Sequence, residues 1–204
     1  MKSDDLTRFN YFERIVHWVV GLTFVFVLLT GFAFSYPSLF WLTTLVGGGP
    51  AARVLHPWMG LVLMVGLVLM FFIWLRDMGL KKADFDWLRA IKQYTLHRRD
   101  EVPASGKYNA GQKVFFWAMI LLVLAHLITG IPMWFPAGWS AGTLAALRLI
   151  HYLVTPPAAL FLIAHIYLAS FAFPGTARGM LYGTVSRPWA RLHHPLWHEE
   201  ETRS

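Results

Sequence analysis

Residues 149–173 read LIHYLVTPPAALFLIAHIYLASFAF, and no Lys, Arg, Asp or Glu interrupts them. A helix needs roughly 20 apolar residues to cross a bilayer core, so this stretch is long enough to span one. It carries two histidines, His151 and His165. Fourteen helical residues at about 1.5 Å each separate them by about 21 Å along the axis. At roughly 100° per residue they fall about 40° short of four full turns, so both sit on one face. The spacing predicts one helix offering the same side chain at two depths. Pro156 and Pro157 lie between the two and remove backbone donors, which predicts a kink.

Three further stretches, 15–36, 54–74 and 114–135, are equally free of Lys, Arg, Asp and Glu. With 56% hydrophobic and 14% charged residues in a 204-residue chain, a membrane class follows from composition as well. The fold class expected is all-α: an integral membrane four-helix bundle forming one domain over 1–204, with a tail at 174–204. The first stretch is too long for the apolar core of a secretory signal, has acidic flanking residues (Asp4, Asp5, Glu13), and is read as a retained helix.

The net charge of +7 could suggest nucleic acid, but its distribution excludes that reading. All Lys and Arg except Arg53 and Arg148 fall in 1–14, 75–113 and 174–204, the segments on one side of a four-span topology. The positive-inside rule then places both termini of a multi-pass protein in the cytoplasm. Aromatic residues at span ends (Trp18, Tyr36, Trp41, Trp58, Trp74, Trp134, Trp139) fit headgroup belts. The loop 37–53, with Pro37, Gly47, Gly48, Gly49 and Pro50, predicts irregular turns, and 84–96 predicts an amphipathic interfacial helix.

Cysteine is absent, which excludes disulfides, thiolate-bound zinc, a cysteine-ligated iron–sulfur cluster and a thioether-attached haem. The polar residues left inside the spans are mainly His, Ser and Thr. Five histidines lie in or at the edges of the spans: His17, His56, His126, His151 and His165. Ionisable groups at that depth are costly and mark cofactors, relays or partners. The topology sorts four of them into two pairs, His56 with His151 near the outer face and His17 with His165 near the inner one. Neutral imidazole is a common axial ligand of haem iron, so the pairs predict two haems b, stacked across the membrane. Gly21 and Gly60, each four residues after a pairing histidine, give clearance for a flat porphyrin, with Ala158 and Ala164 of the 149–173 span in a similar role. His126 is expected near mid-depth without a histidine partner, hydrogen-bonded to a neighbouring helix. The tail histidines His193, His194 and His198 are expected to be solvated or to face a partner.

Several motifs together resemble one family. They are Glu13-Arg14-Ile15-Val16-His17-Trp18, Pro37-Ser38-Leu39-Phe40-Trp41, Gly47-Gly48-Gly49, Leu55-His56-Pro57, Tyr108-Asn109-Ala110-Gly111-Gln112-Lys113, Val185-Ser186-Arg187 and His193-His194-Pro195. In this order, over almost the full length, they resemble the gamma subunit, a membrane cytochrome b, of respiratory formate dehydrogenase. The resemblance implies the same four haem iron ligands. It also implies a quinone site for ubiquinone or menaquinone at the cytoplasmic side, formed by Asn109, Gly111 and His165. The implied partners are an iron–sulfur beta subunit and, through it, the molybdenum or tungsten alpha subunit. Such a chain transfers electrons and reduces quinone but does not oxidise formate by itself. A cytochrome b subunit of a hydrogenase or of a thiosulfate or polysulfide reductase is the alternative. A haem-free transporter with a histidine proton relay and a purely structural anchor stand further off.

Overall fold

The computed structural model describes residues 5–96, 98 and 101–203. Four helices are long and apolar enough to cross a membrane: α1 (Tyr11–Ser35), α2 (Gly48–Trp74), α5 (Ala110–Trp134), and α6 (Ala141–Tyr167) with its continuation to Ala172. Between them lie α3 (Lys82–Arg89) and α4 (Ile91–Thr95). Each membrane-length helix begins before the apolar stretch seen in the sequence, and α1 and α5 are closed at their starts by capping boxes. Asn10 and Glu13 exchange hydrogen bonds at the start of α1, Glu13 N to Asn10 Oδ1 at 2.9 Å and Asn10 N to Glu13 Oε2 at 2.7 Å. Asn109 and Gln112 repeat that reciprocal box at the start of α5, at 3.0 Å in both directions. In the most apolar window of each span only 11–28% of residues are buried. Side chains such as Leu22, Val65, Leu121 and Leu153 stand exposed, as lipid-facing residues do.

The chain divides into two compact units. The first comprises 15–70 and 119–165, and is built from all four long helices. Small residues let its backbones approach: a Cβ on Gly66 would stand 2.6 Å from Val20 Cγ2, so α1 and α2 are held together where only glycine fits. α6 stays helical through Pro156 and Pro157, so a single element carries both His151 and His165. The expected irregular loop is also ordered differently. A 3-10 helix fills Pro37–Val46, closed by Gly47 in the left-handed region (φ 94°), and α2 begins directly at Gly48.

The second unit comprises 1–14, 71–118 and 166–204. After α6 the chain makes a π-helical turn over Leu168–Ala172, then α7 (Arg178–Tyr182), β2 (Thr184–Ser186), α8 (Arg187–His193) and α9 (Pro195–Arg203). β2 pairs antiparallel with β1 (Asp5–Thr7), Leu6 opposite Val185. Leu6, Val185, Trp189, Ala190 and Trp197 close a small apolar core around this ribbon. The tail is therefore folded, and of the histidines expected to be solvated or to face a partner, His193 and His194 are buried within it, 8% and 2% exposed. His194 faces Gly106 O through Nδ1 at 2.7 Å and Arg8 Nη2 through Nε2 at 3.1 Å. Arg8 in turn donates to Lys107 O at 2.6 Å and lies over the rings of Trp189 and Trp197, each 5.0 Å away. The sequence missed this because burial here comes from pairing with the N-terminal strand, which no local pattern reveals. The expected 84–96 helix is split at Ala90 into α3 and α4, with Trp87 buried and Phe85 and Ile91 exposed.

Candidate haem-binding site

Within the four-helix unit, His56 on α2 and His151 on α6 face each other with ring centres 6.4 Å apart. His17 on α1 and His165 on α6 do the same at 6.1 Å. A metal–imidazole bond of about 2 Å on each side, plus roughly 1.1 Å from ring nitrogen to ring centre, puts two axial imidazoles about 6.2 Å apart. Both pairs stand at that spacing. Rings in direct contact range from about 4.5 to 7 Å, and His126 and His151 stand closer, at 4.8 Å.

The surroundings of the His56–His151 pair fit a flat apolar cofactor. A cavity of about 290 Å³ has both imidazoles in its wall, together with Gly60, Ala158 and, as its one charged residue, Arg53. A Cβ built on Gly60 meets nothing within 4 Å, as does one on Gly21, one turn from His17. The expected clearance at both glycines is present. Ala158 lines the cavity as expected, whereas Ala164 is exposed and is not part of its wall.

Two residues that sequence reasoning passed over orient this pair. Thr30 Oγ1 lies 2.7 Å from His56 Nδ1, and Thr129 Oγ1 lies 2.8 Å from His151 Nδ1. Each threonine is followed by a glycine whose added Cβ would sit 3.6 Å (Gly31) or 3.5 Å (Gly130) from the Cε1 of the same histidine. A signal was there to find: Leu28-Leu29-Thr30-Gly31-Phe32 on α1 is echoed by Leu127-Ile128-Thr129-Gly130-Ile131 on α5. His126 makes the expected bond to a neighbouring helix, Nε2 to Thr155 Oγ1 at 3.1 Å, with Nδ1 2.7 Å from Leu122 O. It is not alone at its level, however, because its ring meets His151 edge-on.

Asn109 and Gly111 belong to the second unit. Asn109 is buried, caps α5 through Oδ1, and directs Nδ2 toward Tyr94 Oη at 3.5 Å. Gly111 packs under Trp87, where a Cβ would stand 3.4 Å from the indole. Beside them, burial pushes the Tyr108 phenol well above its ordinary pKa, and its hydroxyl has no hydrogen-bond partner among the described residues. Burial likewise lowers the pKa of Arg8, whose guanidinium lies 5.9 Å from the Tyr108 ring. Among the described residues no cluster of three or more His, Cys, Asp or Glu forms a direct metal site.

Membrane-length helices that hold imidazoles in opposed pairs define a class, the integral membrane cytochromes b. The family described as prokaryotic cytochrome b561 matches residues 8–183. The nitrate-inducible formate dehydrogenase cytochrome b556(Fdn) subunit of Escherichia coli K12 is 35% identical over 203 residues, covering 98% of this chain and 93% of its own. The formate dehydrogenase cytochrome b556(fdo) subunit of the same organism is 31% identical over 202 residues, covering 98% and 94%. The formate dehydrogenase cytochrome b556 subunit of Haemophilus influenzae is 32% identical over 194 residues, covering 94% and 81%. The chain belongs to the prokaryotic cytochrome b561 family, a family of haem-bearing electron-transfer proteins of membranes.

Proposed function

We propose that this chain is the membrane cytochrome b subunit of a formate dehydrogenase. In this reading it takes electrons from an iron–sulfur beta subunit, fed by a molybdenum or tungsten alpha subunit, and delivers them to quinone. Both termini face the cytoplasm of a bacterial inner membrane, and quinone is reduced on that side. The observation that carries the reading is the pair of imidazole separations, 6.4 and 6.1 Å, each matching iron held between two histidines. His56 and His151 would hold one haem b, and His17 and His165 the other. Bound there, haems would supply one-electron chemistry at two levels of α6, whose ligands His151 and His165 are fourteen residues, about 21 Å of helix axis, apart.

What the chain's own residues do follows from their placement. The imidazoles present a lone pair from opposite sides of each site, and the helices exclude water from both. Arg53, in the wall of the His56–His151 cavity, supplies positive charge for the carboxylate groups that a haem carries. Asn109 and Gly111 are the proposed quinone contacts in the second unit. The Asn109 Nδ2, whose 3.5 Å contact to Tyr94 is long, is the donor available to a quinone carbonyl. His165, the third quinone residue proposed, lies in the first unit.

In isolated membranes, formate should reduce the b-type absorbance and added quinone should reoxidise it. Reduction by hydrogen and not by formate would assign the chain to a hydrogenase instead.

A further inference from the structure

The hydroxyl of a threonine carries one proton, and in both Thr30 and Thr129 that proton is already committed. Thr30 Oγ1 donates to Phe26 O at 2.8 Å, one turn back along α1. Thr129 Oγ1 donates to Ala125 O at 2.7 Å, one turn back along α5. Each oxygen then faces an imidazole with lone pairs only, so the bonds at 2.7 and 2.8 Å are donated by His56 Nδ1–H and His151 Nδ1–H. The alternative tautomer would place the proton on Nε2, where no metal could bind. Two hydroxyls on two different helices thus fix the same tautomer in both members of one pair.

His17, a member of the other pair, is held differently. His17 Nδ1 is buried and has no hydrogen-bond partner among the described residues. The difference matters because an imidazole that donates a hydrogen bond from its second nitrogen becomes a stronger electron donor through its first. A stronger donor favours ferric over ferrous iron and so lowers the potential of the couple.

We propose that Thr30 and Thr129 are matched positioning residues, which hold His56 and His151 as Nδ1–H tautomers and lower the potential of the iron bound between them. The proposal rests on the haem-ligand reading above and deepens it. It gives the His56–His151 site a bias that favours passing an electron onward to the His17–His165 site, where His17 lacks such support. Removal of an outer partner of a metal-bound histidine typically costs 10- to 100-fold in affinity or activity. Both acceptors here are neutral hydroxyls, and a potential registers only the difference between the losses in the ferric and ferrous states, so each bond counts for less than that range. Losing both bonds should weaken the ferric preference about tenfold, which for a one-electron couple is about 59 mV upward. Each bond alone accounts for about a threefold change.

The test uses the full chain in its native complex, with Thr30→Val, Thr129→Val and the double variant, and Thr30→Ser and Thr129→Ser as controls that retain a hydroxyl. Haem content is counted by pyridine haemochrome, midpoint potentials come from optical redox titration, and the ferric ligand field is read by electron paramagnetic resonance. The Val variants should keep two haems and raise one potential while the other stays in place, and Ser should restore the wild-type value. A His17→Ala background, which leaves a single haem, identifies the site that moves. Loss of that haem in a Val variant with recovery in the Ser variant also supports the role. Two haems with both potentials unmoved in the double variant would overturn the proposal and leave the ligands standing. Equal effects of Val and Ser would overturn it too. A wild-type complex without haem b in this chain would overturn the ligand reading itself.

Discussion

Replacing Lys113 with Met should destabilise the protein far more than its position near the start of α5 suggests. The ammonium donates to Asp84 Oδ2 at 2.8 Å and to Gly79 O at 3.0 Å, tying α3 and the chain before it to α5. The two side chains are only 8% and 12% exposed, so neither charge is well solvated without the other. Breaking a buried pair from one side costs about 3–5 kcal/mol, because a charge is left without its partner. Asp84 Oδ2 also accepts from Lys81 N at 2.7 Å, a bond that an amide oxygen can preserve. The double variant Lys113→Met/Asp84→Asn therefore removes both charges while keeping that backbone bond, and should cost only about 1–2 kcal/mol. Each single change should cost about 3 kcal/mol or more, leaving a coupling energy above roughly 2 kcal/mol in the cycle. The assay is equilibrium unfolding of the detergent-solubilised protein, followed by tryptophan fluorescence, on wild type, both singles and the double. Singles that add without coupling would refute the claim that the pair acts as a buried unit.

Gly60→Phe should fold, since a side chain there enters open space, yet the protein should carry one haem instead of two by pyridine haemochrome. The raised Tyr108 pKa means that the folded state keeps a proton which the unfolded chain loses from about pH 10 upward. Its contribution is thus fully present below pH 10 and is lost as pH rises beyond it. Tyr108→Phe, which removes a hydroxyl with no partner, should be neutral at pH 7 and show a flatter loss of stability above pH 10 in thermal melts. Arg8→Met should release the tail, with 174–203 becoming protease-sensitive. The loss is about 2–4 kcal/mol for a desolvated cation over aromatic rings with charged hydrogen bonds, and Arg8→Lys should not restore it.

The four spans and the two histidine pairs were legible because both rest on helical geometry alone. A run of apolar residues fixes the spans, and the 14-residue interval on α6 needs only rise and twist per residue. Gly21 and Gly60 followed by the same logic. What stayed hidden depends on contacts distant in sequence. The burial of His194 requires β1 to pair with β2 and Arg8 to reach across, at 186 residues' separation. The contact between His126 and His151 arises from how α5 and α6 cross, which spacing along either helix does not determine. The roles of Thr30 and Thr129 were half visible: the Thr-Gly echo is in the sequence, but a threonine bonded to its own helix is a common sight in membrane helices. Its second bond, to a histidine on the next helix, shows only in three dimensions. The loop 37–53 misled because Pro and Gly mark turns and also mark a 3-10 helix with its left-handed cap at Gly47.

Paired histidine ligation is tested by counting haem in the wild type and in His17→Ala, His56→Ala, His151→Ala and His165→Ala, with axial-ligand spectroscopy on each. The wild type should hold two low-spin, bis-histidine b-type haems. His56→Ala and His151→Ala should each lose one and the same haem, while His17→Ala and His165→Ala lose the other. A colourless wild type, or four variants that all retain both signals, would contradict it.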